Sequence, residues 1–162
     1  MAVNQNIGAQ SYLQVIEILR DSILSNKLMN TLTQGDITEV DLNKQSIFPL
    51  AHIIVTNARF SSTIISYDID VLFMDIVYED DTTNEPLIYS NDNENYVLNN
   101  MLNVGNHVTD SFNTGALNDG NTYILRETVT AEPFKDRFEN LVAGWNFKFQ
   151  VDTRNNIDRC NT

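Results

Sequence analysis

Asp68 and Asp70 stand two residues apart in a run that alternates apolar with acidic side chains. In an extended strand both carboxylates would share one face, where a divalent cation could bridge them. Metal-assisted hydrolysis of a phosphate ester is the chemistry such a pair would serve, but a two-metal site also wants a third acid and a lysine for the phosphate. The nearest lysines, Lys44 and Lys135, are distant in sequence. The pair is therefore read first as a wetted strand face and second as a metal-dependent enzyme site. Nucleophilic catalysis has less to work with. It needs a histidine near a serine or cysteine with an orienting acid, and neither His52 nor His107, the two histidines of the chain, sits in a matching motif. Both are expected to be packed or surface residues. Cys160, the single cysteine, cannot with two distant histidines supply the closely spaced ligands of a structural zinc site. The segments around Asp80 and Asp92 resemble calcium loops in composition but lack the glycine and distant glutamate of an EF-hand. The six glycines are scattered singly, so no phosphate-cradling loop is expected. No catalytic residue, cofactor or metal is expected.

The elements that would carry these residues follow from periodicity. Phe48-Pro49-Leu50 breaks the chain, and the β-branched run over 51–58, the polar turn at 59–62 and the run over 63–78 predict a long antiparallel hairpin. In its second arm Tyr67, Ile69, Val71, Phe73 and Val77 share one face, while Asp68 and Asp70 point to the other until Leu72, Met74 and Ile76 take over there. A strand of that length spans about 50 Å, so part of it should project or bend, with the Asp68 and Asp70 half exposed. Before the hairpin, Tyr12, Ile16, Leu19 and Ile23 form a helical stripe. Ser11 and Gln14 offer a capping box, and the helix is expected to end near Asn30, ahead of a polar loop and a short strand over Ile37 to Leu42. After a loop over 79–94, Val97, Met101, Val104, Val108 and Phe112 predict a second helix capped by Gly115. A turn at Asn118-Asp119-Gly120-Asn121 and a strand from Tyr123 to Thr130 follow, with Pro133 as a breaker and a connection over Phe134 to Glu139. Trp145, Phe147, Phe149 and Val151 alternate with Asn146, Lys148 and Gln150, a half-buried closing strand whose aromatics face a core. The expectation is an α+β fold of order α-β-β-β-α-β-β, an antiparallel sheet with a long β-hairpin packed against two helices. A single domain over 1–152 and a polar C-terminal tail over 153–162 complete it.

Charge narrows the partners. The 162 residues carry 22 acids against 10 bases, a net charge of −12. No basic residue lies between Arg59 and Arg126, whereas residues 126–162 hold six basic and six acidic residues. Binding nucleic acid or an anionic membrane needs clustered lysine and arginine, so neither is expected as a tight partner. The acidic middle reads as a solvated surface, or else as a repulsive channel wall or partner-facing patch. No long apolar run or basic leader occurs, so neither a membrane span nor a signal peptide is expected, and one terminal cysteine fits a reducing compartment.

From the first helix through Phe48-Pro49-Leu50, the hairpin and the second helix, the chain resembles the tail-terminator and tail-completion (neck) proteins of tailed bacteriophages. The string that prompts this is Phe134-Lys135-Asp136-Arg137-Phe138-Glu139-Asn140, then Ala143-Gly144-Trp145 and an alternating strand. The resemblance implies a non-enzymatic virion protein, assembled in the host cytoplasm. It would form a closed homo-oligomeric ring, typically a hexamer, that caps the tail tube and joins it to the head or neck connector proteins while DNA passes through without specific binding. The family brings no catalytic residues. A ring closed by rotation needs two complementary patches on one subunit, and Asp68 and Asp70 against Arg137, Arg154 and Arg159 are the candidates. Another head-tail connector ring is the nearer alternative, and a divalent-metal-dependent enzyme built on Asp68 and Asp70 the farther one.

Overall fold

The computed structural model describes residues 7–42, 44–78, 92–114, 123–137 and 140–155. Among them are helices α1 (Ile7–Leu24) and α2 (Glu94–Asn113) and strands β1 (Thr31–Gln34), β2 (Leu50–Phe60), β3 (Ile64–Ile76), β4 (Tyr123–Leu125), β5 (Thr130–Arg137) and β6 (Leu141–Arg154). The fold is α+β, and the expected order is met with one strand more, α-β-β-β-α-β-β-β, because the strand expected over Tyr123 to Thr130 is divided into the short β4 and the start of β5. The sheet runs β1-β2-β3-β6-β4, and β5 also pairs with β6. Every pairing is antiparallel except that of β1 with β2.

Period-two alternation on β3 and β6 decides which face the helices cover. Ile65, Tyr67, Ile69, Val71 and Phe73 of β3 and Phe147, Phe149 and Val151 of β6 form one core with Val15, Ile16, Leu19 and Ile23 of α1 and Val97, Met101, Val104, Val108 and Phe112 of α2. Phe73 and Phe147 meet edge to face, their centroids 5.5 Å apart. Gly105 lets the α2 backbone lie on the Phe147 ring, since a Cβ there would sit 2.1 Å from it. Trp145, which belongs to the same row, donates its indole N–H to the carbonyl of Leu98 on α2 at 2.8 Å.

The opposite, outer face has two halves. Over Leu50, Met74, Ile76 and Val142 the segment 37–48 lays down Leu42 and Phe48 as a second apolar cluster. Two single-turn 3-10 helices, Ile37–Glu39 and Gln45–Ile47, shape that segment, and Asn140 Nδ2 donates to the carbonyl of Leu42 at 2.9 Å to hold it. The other half, around Asp68 and Asp70, carries no such cover among the described residues.

Several local expectations change. Ser11 lies inside α1, because Ala9 and Gln10 are good helix formers and carry the helix back to Ile7. The helix stops at Leu24, where a turn closed by Leu28 N–H on Asn26 Oδ1 takes over. The strand of this region is Thr31–Gln34, satisfied by pairing with β2. At 37–42 Asp36 instead caps a helical turn by accepting the Thr38 N–H at 2.9 Å. Pro133 sits within β5, paired on one side to β6, an edge where a missing N–H is tolerated. β6 continues past residue 152, with Thr153 buried and Arg154 paired to Ile64. The Gly115 cap, the turn at Asn118 to Asn121 and the acidic loop at 79–91 lie outside the described residues, as does the chain beyond Asn155. No helix among the described residues is long and apolar enough to cross a membrane.

Candidate functional site

The hairpin brings Asp68 and Asp70 to the open half of the outer face, as expected. A register shift between Val55 and Asn57 bends β2 there, and the Thr56 hydroxyl donates to the Asp68 carbonyl at 3.1 Å. The two carboxylates line an open cleft of about 350 Å³ together with Thr56, Glu127, Lys148 and Gln150. Its upper rim is the stretch between β4 and β5, anchored by the Arg126 N–H on the carbonyl of Gln150 at 3.0 Å.

Asp68 is not free to hold a cation. Arg59 reaches across the hairpin and grips it with both guanidinium ends, Nη1 to Oδ2 at 2.9 Å and Nη2 to Oδ1 at 3.0 Å, and Gln150 Nε2 adds a third donor at 3.1 Å. Asp70 accepts one long bond, from Asn146 Nδ2 at 3.4 Å, and stands opposite Lys148. Lys148 in turn pairs with Glu132 at 3.1 Å. A cation bridging the two acids would have to displace Arg59, and among the described residues no three His, Cys, Asp or Glu side chains come together to hold a metal ion. The buried side-chain oxygens of Asn146 and Gln150 have no hydrogen-bond partner among the described residues.

One row further along the sheet, the hydroxyl of Ser66 donates to Asp152 Oδ1 at 2.6 Å and Arg126 Nε to Asp152 Oδ2 at 2.9 Å. A further cross-element ion pair joins Lys135 to Glu94 at the start of α2. Most bases that flank the acidic middle are therefore spent within the subunit. Of the residues expected to oppose Asp68 and Asp70, Arg154 is exposed at the end of β6, four residues beyond the partner of Asp68, roughly 13 Å away. Arg137 closes β5 opposite Leu141, and Arg159 lies outside the described residues. The structure thus joins the two aspartates and leaves Arg154 apart from them.

The sequence reading passed over Arg59, seen only as a turn residue, along with Gln150 and Arg126. The signal for Arg59 was present: hairpin pairing places it opposite Ser66, diagonal to Asp68. His52 is fully buried between β1 and the turn at Gly35, and burial pushes its imidazole below the ordinary histidine range, partly offset by its bond to Gly35 and by Asp36. His107 lies on the exposed side of α2. Burial likewise raises the carboxyl of Asp75 and the phenol of Tyr123.

Two sheet edges that are open among the described residues complete the site. Among the described residues β2 has a strand partner on its outer side only from Leu50 to Ile53, so its edge from Ile54 to Phe60 is unpaired. β4 lies level with that edge across the sheet. Tyr123 pairs with Thr153, Thr153 with Ile65 and Ile65 with Phe60, and Leu125 connects through Val151 and Tyr67 to Ala58. Large apolar side chains stand exposed at both edges, Phe60 at 72% and Ile124 at 48%. Comparison with known proteins finds no matching family model and no matching curated protein.

Proposed function

We propose that this chain is a structural virion subunit of a tailed phage that assembles head to tail into a ring at the tail end or neck, joining tail to head. The observation that carries the reading is the pair of open edges at one level of the sheet. An edge on each side, offset along neither, lets the β4 side of one copy meet the β2 side of the next, the heterologous contact from which rings close. Phe60 and Ile124 supply apolar anchors at that contact. The element order and the two helices on one face agree with the fold that the tail-terminator resemblance implies. A net charge of −12 would let DNA pass a lumen without adhering.

The contact rests less on charge than patches of Asp68 and Asp70 against Arg137, Arg154 and Arg159 would, because Asp68 is already gripped by Arg59. Strand pairing and apolar anchors give a ring that persists as salt is raised. Native mass spectrometry across a salt series tests this. A discrete closed ring, stable to salt and reduced to monomer by Phe60→Asp, is the expected result, and its mass separates six copies from the other counts of connector rings. A monomer at every concentration, together with phage that complete their tails without the protein, would overturn the reading.

A further inference from the structure

His52 ties the first strand to the sheet. It lies on β2 opposite Thr33 of β1, it is 0% exposed, and both ring nitrogens are engaged. Nδ1 is 2.7 Å from the Thr33 hydroxyl and Nε2 is 3.0 Å from the Gly35 carbonyl. A carbonyl only accepts, so Nε2 carries the proton and Nδ1 accepts from Thr33. The ring is fully satisfied as that neutral tautomer. A second proton would go onto Nδ1, where the Thr33 hydroxyl now points its own hydrogen, and would put a charge where water does not reach.

Besides this clasp, Leu32 packs on the core and the N–H groups of Asn30 and Thr31 bond the Pro49 carbonyl at 3.0 and 3.2 Å. β1 is four residues long and pairs only with Leu50 to Ile53. Beyond it Gly35, in the left-handed region at φ 111°, bonds its N–H to the carbonyl of Ile53 at 3.1 Å, and Gln34 Nε2 reaches the Tyr12 hydroxyl at 3.1 Å. A short edge strand opens locally at far lower cost than the central strands β3 and β6.

We propose that His52 is a pH-operated latch for β1: neutral, it clasps Thr33 and Gly35 to β2, and on taking a second proton it releases them and bares the β2 edge from Leu50 to Ile53. The free edge then runs the whole length of β2. The charged groups around the ring are few. Asp36 follows the turn, Asp70 lies two residues along on the neighbouring β3, Lys148 stands opposite Asp70 on β6, and Glu39, Asp41 and Lys44 are on the covering segment. Asp36 favours the charged ring, and because it is exposed it softens the cost of the charge without removing it. Burial holds the imidazole below the ordinary histidine value, so its contribution to β1 docking is complete above that value and is lost as the pH falls below it. The latch stands whether or not the chain forms a ring.

Hydrogen exchange of the full chain, corrected for intrinsic rates and followed from pH 7 downward, tests it. Exchange at Thr31 to Gly35 is expected to quicken by up to about tenfold per pH unit, as one proton per opening requires, while β3 and β6 amides keep their protection. His52→Gln removes the titration and flattens the profile. Thr33→Ala keeps the ring but removes a hydrogen bond to its neutral form, so the native ring takes its second proton more readily and the quickening levels off at a higher pH; it decides the matter should His52→Gln not fold. A flat wild-type profile, an unchanged slope in His52→Gln or an unmoved levelling-off point in Thr33→Ala would each overturn the latch.

Discussion

The two halves of the outer sheet face are built from the same three strands and differ in everything that touches them. On β3 the outward residues are Ser66, Asp68 and Asp70 in one half and Leu72, Met74 and Ile76 in the other. The first set stands across β6 from the polar Asp152, Gln150 and Lys148, and Ser66, Asp68 and Asp70 each bond a polar side chain of β6, so the face needs no apolar cover. The second set is matched by Asn146, Gly144 and Val142 and recruits the segment 37–48 as its lid. One half is stabilised by hydrogen bonds that water could replace, the other by apolar area that water cannot. Stability should therefore reside in the covered half, and the open half should tolerate change.

Exchanging the character of one residue in each half breaks the comparison most directly. Met74→Asp puts an unpaired carboxylate into a site that is 1% exposed and is expected to cost about 4 kcal/mol or more. Asp68→Met removes a half-exposed ion pair and should cost about 1 kcal/mol or less. Urea unfolding of both variants reads the difference, and near-equal losses would mean that the segment 37–48 is not a core.

Gly144→Ala comes next. It pairs with Met74 where β6 runs so close to β3 that an added Cβ would lie 1.9 Å from the Phe73 carbonyl oxygen and 2.9 Å from the Met74 Cα. These are backbone atoms held in two strands, so relief requires the strands to part, at about 3 kcal/mol. A loss under 1 kcal/mol in the same urea series would show that the covered half is more pliant than its packing implies.

The division between the halves was legible in the sequence because it is a period-two pattern, and the switch from Asp68 and Asp70 to Leu72, Met74 and Ile76 lies within one strand. The two helices were legible for the same kind of reason, from stripes of period 3.6. What covers the second half was not. Segment 37–48 has no period of its own and takes its shape from the local cap of Asp36 on Thr38 and from Asn30 and Asn140, which bond to its backbone from far along the chain. β1 was missed on similar grounds, since four residues of Thr-Leu-Thr-Gln become a strand only through β2 and His52. At the site, local pattern placed the aspartates correctly, but whether they were free depended on Arg59, and that is a fact of hairpin register. Pro133 shows the converse: a strong local signal overridden because β5 lies at an edge.

A sharper measure of the open half is the coupling between Arg59 and Asp68. Their bidentate contact has good geometry, yet the Arg59 side chain is 45% exposed, so solvent screens it. A double-mutant cycle with alanine at each position should return about 0.5–1 kcal/mol, falling toward zero as salt is raised. A coupling several times larger, or one indifferent to salt, would make the open face a second rigid core and erase the distinction between the halves.

The smallest expected effect lies on the helix side of the covered half, at Asp75. Burial lifts its carboxyl above the ordinary aspartate value of 3.8, against the pull of the Ile76 N–H that bonds Oδ1 at 2.8 Å. A native state that holds this proton more tightly than the unfolded chain is favoured by acid at this position. That contribution is whole below the unfolded value and is lost as the pH rises through the native one. At neutral pH the residue therefore carries the cost of a half-buried charge. Asp75→Asn keeps an oxygen for the Ile76 N–H and removes the charge, so it should be slightly more stable than wild type at pH 7, and the two should converge as the pH is lowered toward 3.8. Urea midpoints of both proteins at several pH values decide this. If the variant is less stable at pH 7, the charged form of Asp75 has a favourable partner, and Lys135, in the same cross-strand row two strands away on β5, is the residue to substitute next.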